Sequence, residues 1–146
     1  MPITLSKFLK SEGYSSVKLI FLETKHYLIE AKVNNINGRF ILDTGASNSC
    51  ICTSLEKKFN IISKKTVEKA SSATSEISNT KISKNNTIQI GKWGNKINLI
   101  TFNMIYINHA LNEKKIDSVS GIIGADVLKK SKAILDYKSN KLYLKL

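Results

Sequence analysis

Arginine is almost absent. Of 23 basic residues only Arg39 is one, while lysines are scattered along all 146 positions and carry the formal net charge to +12. Base-edge readout and bidentate phosphate contacts favour clustered arginines, so this excess of charge reads as solvated lysine and no nucleic-acid partner is expected. No apolar run reaches the length of a membrane span, and "MPITLSKFLKSEGYSS" lacks the unbroken apolar core and small-residue cleavage site of a signal peptide. The expectation is a cytoplasmic protein without a membrane partner. Cysteine is nearly as scarce. Cys50 and Cys52 stand two apart in "SCIC", where a strand puts both side chains on one face with their backbones too far apart for an easy bridge. With only His26 and His109 as further soft ligands, neither in ligand spacing, no metal site is read, and the thiols are expected as small buried hydrophobes.

What is present fits one domain with a single core, since 42% of the residues are apolar. Thr4 is placed to cap a short helix through Lys10, followed by a Glu-Gly-Tyr-Ser-Ser break and a strand over "VKLIFLE". From Tyr27 the alternation is clean, with Tyr27, Ile29, Ala31 and Val33 on one face and Leu28, Glu30 and Lys32 on the other. "NNING" turns the chain and "RFIL" returns it as the second arm of a hairpin that ends at Asp43. Thr53 to Phe59 reads as a capped helical turn. Residues 66–90 read as a long hairpin standing off the core, "KWGN" as a turn, and "KINLITFNMIYI" as a buried strand whose alternation shifts near Ile100 and suggests a bulge. A short helix from Ala125 to about Ser131 precedes two strands joined by "YKSNK", with Leu142, Leu144 and Leu146 on one face. The class is all-β, a small closed barrel or sandwich with one or two short helices.

"ILDTGAS", followed about eighty residues later by "IIGADVL", resembles the retropepsin-like aspartic proteases. The resemblance covers Tyr27 to Leu146 and implies the small closed barrel of the acid-protease fold over residues 27–146. Residues 1–26 are then an N-terminal extension of short helix and strand packed on that domain.

The family's chemistry hydrolyses peptide bonds with two carboxylates that share one proton, one taking a proton from water while the other protonates the carbonyl. This chain has one Asp-Thr-Gly. Asp117, Asp126 and Asp136 lack the Thr-Gly that would hold a second carboxylate, so a homodimer is implied, with no cofactor and a peptide or protein as substrate. The resemblance gives Asp43 as the catalytic carboxylate and Thr44 as the hydroxyl that locks the two loops across the axis. Gly45 would let substrate approach the backbone. Ala46, Gly124 and Asp126 would support the loop, Ile122 and Ile123 would pack beneath it, and Ser47, Asn48, Ser72 and Ala73 would join Gly45 along the substrate.

Three departures qualify this pattern. Retroviral members pair an aspartate at the position of Ser47 with an arginine at that of Ala125, and both charges are absent here, which leaves neither stranded. Between Asn48 and Ile90 there is no glycine, so a flap tip at "KASSATS" has less backbone freedom than a glycine-rich one. Ala46 has no hydroxyl to donate to the carboxylate, as the Ser or Thr of pepsin-like enzymes does, which implies a mildly acidic optimum. The alternative to an active endopeptidase is a catalytically weak or inactive module of the same fold that serves in dimerisation or peptide binding.

Overall fold

The structure is a computed structural model that describes residues 2–65 and 80–146. Among these residues three α-helices, α1 (Leu5–Ser11), α2 (Ile105–Glu113) and α3 (Ala125–Lys130), accompany eleven strands. The strands are β1 (Tyr14–Lys18), β2 (Ile20–Phe21), β3 (Tyr27–Val33), β4 (Ile36–Leu42), β5 (Cys50–Cys52), β6 (Lys64–Lys65), β7 (Lys81–Ile90), β8 (Trp93–Phe102), β9 (Gly121–Ile123), β10 (Ile134–Asp136) and β11 (Lys141–Lys145).

Six of them close a barrel in the order β3-β4-β9-β5-β8-β7, the circle being completed where Lys32 and Val33 of β3 pair with Gln89 and Ile88 of β7. Two residue pairs are a short seam. Asn34 reinforces it: its amide donates to Phe59 O at 2.8 Å and Asn86 Oδ1 at 3.0 Å, and its Oδ1 accepts from Thr87 N at 3.0 Å. Asparagine suits this position for a second reason. Asn34 and Asn35 form the two-residue turn between β3 and β4, where both φ angles are positive, a conformation asparagine tolerates better than most residues.

The alternation read on β3 becomes the barrel interior, where Ile29, Val33, Phe40, Ile51, Ile88, Ile90, Leu99 and Ile123 are buried together. Burying a side chain of this size contributes roughly 1.5–3 kcal/mol, so the interior supplies the main stabilisation. A second apolar layer lies elsewhere: Leu28, Ile41, Cys50 and Cys52 pack with Met104, Leu111 and Val119. Both cysteines are buried free thiols within it. A separate three-stranded sheet, β1-β11-β10, brings the two ends of the chain together, with β1 antiparallel to β11 over five residue pairs.

Thr4 does cap α1, its hydroxyl accepting from Lys7 N at 3.1 Å. Several other expectations need correction. "VKLIFLE" is two strands interrupted at the buried Leu19, and β1 starts at Tyr14, because only Gly13, with φ +86°, supplies the turn. The segment after β5 is a 3-10 turn over Thr53–Leu55 without a side-chain cap. β7 does not stand off the core: Ile88 and Ile90 are inside the barrel. The β7–β8 turn is Gly91–Lys92, and Trp93 is already a buried strand residue. The bulge falls on β7, between Ser83 and Asn86, opposite an unbroken alternation of Ile97, Leu99 and Thr101. "KINLITFNMIYI" is a strand only as far as Phe102; from Ile105 the chain is helical, and Asn103 Oδ1 accepts the Ile105 N–H at 2.9 Å. Leu146 lies past the end of β11 and is exposed.

Candidate active site

Asp43 follows directly on β4, and the reason the chain turns there is β9. This strand runs parallel to β4, with Leu42 beside Ile123, and antiparallel to β5, with Cys50 beside Ile122. The loop 43–49 is therefore the turn of a wide hairpin whose arms are held apart by a third strand. Two glycines permit this insertion. A Cβ on Gly121 would sit 2.0 Å from Cys50 O, and one on Gly124 would sit 2.4 Å from Ala46 O.

Within the loop several backbone groups are engaged around the carboxylate. Asp43 N donates to Ile123 O at 2.9 Å, Ala46 N donates to Asp43 O at 3.1 Å, and Gly45 N donates to Asp43 Oδ1 at 2.9 Å. Ala125 N closes the far side on Ala46 O at 2.7 Å. Asp43, Thr44, Gly45, Ser47 and Asn48 are exposed, so the carboxylate sits at the surface of the single chain, on a loop that hydrogen bonds hold in place.

Behind the loop, Asp126 of α3 accepts Ser49 Oγ at 2.6 Å on one oxygen and Ser49 N at 2.9 Å on the other. The same hydroxyl oxygen accepts Gly124 N at 2.9 Å. Ser49 is 1% exposed and links loop, strand end and helix start. The sequence reading passed over it. Its one local signal was a small hydroxyl residue directly before a buried strand. Below Ser49 the Cys50 thiol is pushed up to about 12, by burial first and then by the carboxylates of Asp126 and Asp43, which makes it a poor nucleophile.

Asp117 and Asp136 stand outside this arrangement. Asp117 is exposed and 3.8 Å from Arg39, and Asp136 caps the β10–β11 turn, accepting the N–H groups of Lys138 and Ser139. Hydrogen bonding from the Ser139 hydroxyl, more than any other contact, holds the Asp136 carboxyl below the usual carboxylate range. Ser72 and Ala73 lie outside the described residues. Three surface clefts, lined in part by Glu30, Lys32 and Arg39, do not include Asp43. An exposed carboxylate on one face of a barrel becomes a cleft only when something stands opposite it. No group of His, Cys, Asp or Glu side chains among the described residues is arranged to hold a metal ion.

A family model described as aspartyl protease matches residues 29–127. Among solved structures the chain is similar to a retropepsin-like aspartic protease from Rickettsia conorii, at 19% identity over 90% of each chain with a TM-score of 0.60. It also matches the EIAV protease in an inhibitor complex (17% identity, 80% of this chain and 98% of that one, TM-score 0.57). A third match is the retroviral protease-like domain of Ddi1 from Leishmania major (15%, 80% and 86%, TM-score 0.53). No curated protein matches it in sequence. At these identities the structures establish the fold, a closed retropepsin-like barrel, and the family match carries the assignment: the chain belongs to the aspartyl protease family.

Proposed function

We propose that this protein is an aspartic endopeptidase that works as a homodimer, with the Asp43 carboxylates of two chains facing each other across a two-fold axis. The observation that carries the reading is the setting of Asp43. It is an exposed carboxylate on a loop pinned to β9 and α3 by backbone hydrogen bonds, and the chain contains one Asp-Thr-Gly, so a lone chain holds half a dyad. Two such groups brought close cannot both ionise, and the pair keeps one proton between them. The ionised Asp43 takes a proton from water as the water attacks the peptide carbonyl, while its protonated counterpart donates to the carbonyl oxygen. Proton transfer in the reverse sense to the amide nitrogen then releases the two products.

In this reading Thr44 joins the two loops at the axis, and Gly45, Ser47 and Asn48 lie along an extended peptide. Ala46, Gly124 and Asp126 keep the loop from yielding, a role supported by the Ala46 O contact with Ala125 N and by the hold of Asp126 on Ser49. Residues 1–26 serve as a structural extension of the 27–146 domain, a reading supported by the pairing of β1 with β11. The test is incubation of the purified protein with a diverse peptide library from acid to neutral pH, beside the Asp43→Asn chain. Defined cuts that vanish in the variant support the proposal. Cuts that persist in a folded Asp43→Asn chain overturn it, and peptide binding without any cut points to the inactive module.

A further inference from the structure

The seam that closes the barrel leaves part of β3 without a partner. On one edge β3 is paired throughout with β4. On the other edge Tyr27 and Leu28 pair with β2, and Lys32 and Val33 pair with β7. Between them Ile29, Glu30 and Ala31 have no strand neighbour on that side among the described residues, a gap of about 10 Å at the usual rise per residue. A cleft of about 500 Å³ opens at this gap, floored by Val17, Ile20, Leu28 and Ala31 and rimmed by Lys18, Lys32 and Arg39, with Glu30 the single acid among its lining residues and Asp117 3.8 Å from Arg39. Ile20 is a β-branched apolar side chain left 53% exposed there. Two neighbouring clefts share residues with it and continue the same charge. One adds Lys58 beside Arg39, and the other adds Lys92 and Lys96 beside Lys32 with no carboxylate.

We propose that this cleft is a docking site for an extended acidic segment of another polypeptide, which adds as a short strand to the open edge of β3. Three features converge on that occupant. An unpaired strand edge recognises backbone and asks for an extended chain. The apolar floor takes alternate side chains, as the pleat of an added strand would present them. The rim is cationic in excess, so the side chains on the outer face of the added strand are acidic. A nucleic acid fits less well, because no aromatic side chain lines any of the three clefts to stack a base. A second copy of this chain fits less well, because none of its described strands carries more than one acidic residue. The site is on the barrel seam, apart from the 43–49 loop, and stands whether or not Asp43 cleaves anything.

The experiment is fluorescence anisotropy with the full chain and a labelled synthetic peptide alternating glutamate with valine, its integrity checked by mass spectrometry. The peptide should bind, and Lys18→Glu/Lys32→Glu should weaken it by at least about tenfold, since both rim charges reverse sign. Lys114→Glu/Lys115→Glu, which changes net charge equally beyond the end of α2, should leave the affinity within about twofold if the effect is local. Methylation of alternate peptide nitrogens should abolish binding by removing the donors that pair with β3. Equal losses in both lysine variants, unchanged affinity after N-methylation, or no binding at all would each overturn the proposal. So would a single-stranded RNA of the same length that binds more tightly and with the same dependence on Lys18 and Lys32. Circular dichroism confirms that the variants remain folded, which the exposure of all four lysines leads one to expect.

Discussion

Ser49 and Asp126, seventy-seven positions apart, are joined by two hydrogen bonds, one from the serine hydroxyl and one from its backbone N–H, to the two oxygens of one carboxylate. This pair fastens the return of the Asp43 loop to the start of α3. Because the Ser49 hydroxyl also receives Gly124 N–H, removing it strands that buried backbone donor, while Asp126 keeps the N–H groups of Ser49 and Val127.

Ser49→Ala should therefore cost about 1–3 kcal/mol in stability, as the buried Gly124 N–H loses its acceptor. Urea denaturation measures it. The proposed proteolytic activity per folded chain should fall as well, because the loop that carries Asp43 loses its anchor. Asp126→Asn keeps the shape but sets an amide donor against the N–H of Ser49 or of Val127, so it should destabilise by a comparable amount.

Gly121 lies where β9 passes closest to β5. Gly121→Ala places a methyl group 2.0 Å from Cys50 O, a distance that no rotamer can relieve, and the variant should fail to give folded protein at 37 °C. Gly94→Ala is the control, since its methyl would rest at 3.5 Å from Ile88 O in ordinary contact. Thermal melts should show little change for Gly94→Ala and no cooperative transition for Gly121→Ala. Comparable melts for the two would contradict the described insertion of β9.

Cys50 provides a pH test with a definite sign. Its thiol rises from an ordinary 9.0 to about 12 in the folded chain, so the folded state keeps a proton that the unfolded state releases. That contribution to stability is present below pH 9 and is lost as the pH climbs from 9 toward 12. Cys50→Ala should flatten the alkaline fall in stability over this window. In the native wild type, Cys50 should resist alkylation at neutral pH until the chain is unfolded, and rapid native labelling would contradict the burial.

How much of this was legible beforehand follows the range of the interactions. The place of Asp43 at the end of a strand was readable from the apolar run before it, whereas the approach of Gly124 to its loop was expected only through the resemblance of "IIGADVL" to the family motif. The face of β3 was readable from its alternation. Ser49 was not, since its significance comes from Asp126 far along the chain, and a hydroxyl residue before a buried strand is too common a signal to mark it. The helix α2 was missed because Ile105-Tyr106-Ile107 continues the β-branched and aromatic character of β8. What makes it helical is Asn103 accepting the Ile105 N–H, with Ile107 and Leu111 one turn apart against Met104 and the cysteines. Tertiary packing there overrides local propensity. The barrel seam could not be read at all, since two residue pairs and one asparagine side chain close it.

Ala46 occupies the place next to the Asp-Thr-Gly where a hydroxyl would donate to the carboxylate. Without that donor the proposed dyad keeps its shared proton to higher pH, so activity should peak in mildly acidic solution. Ala46→Ser should move the profile toward acid by favouring the ionised form. An unchanged pH–rate profile in an active, folded Ala46→Ser enzyme would count against a hydrogen bond as the determinant.

The central claim is that each site needs Asp43 from two chains, and mixing tests it most directly. Wild-type and Asp43→Asn chains are combined in equal amounts, allowed to exchange, and assayed against the same amount of wild-type chain alone. With random association and inactive mixed dimers, roughly a quarter of the dimers remain fully wild-type, so activity should fall to about half of that left by two-fold dilution of intact dimer. Activity equal to that of simple dilution, where mass spectrometry shows that chains have exchanged, would mean that each chain carries a complete site and would contradict the paired Asp43 mechanism.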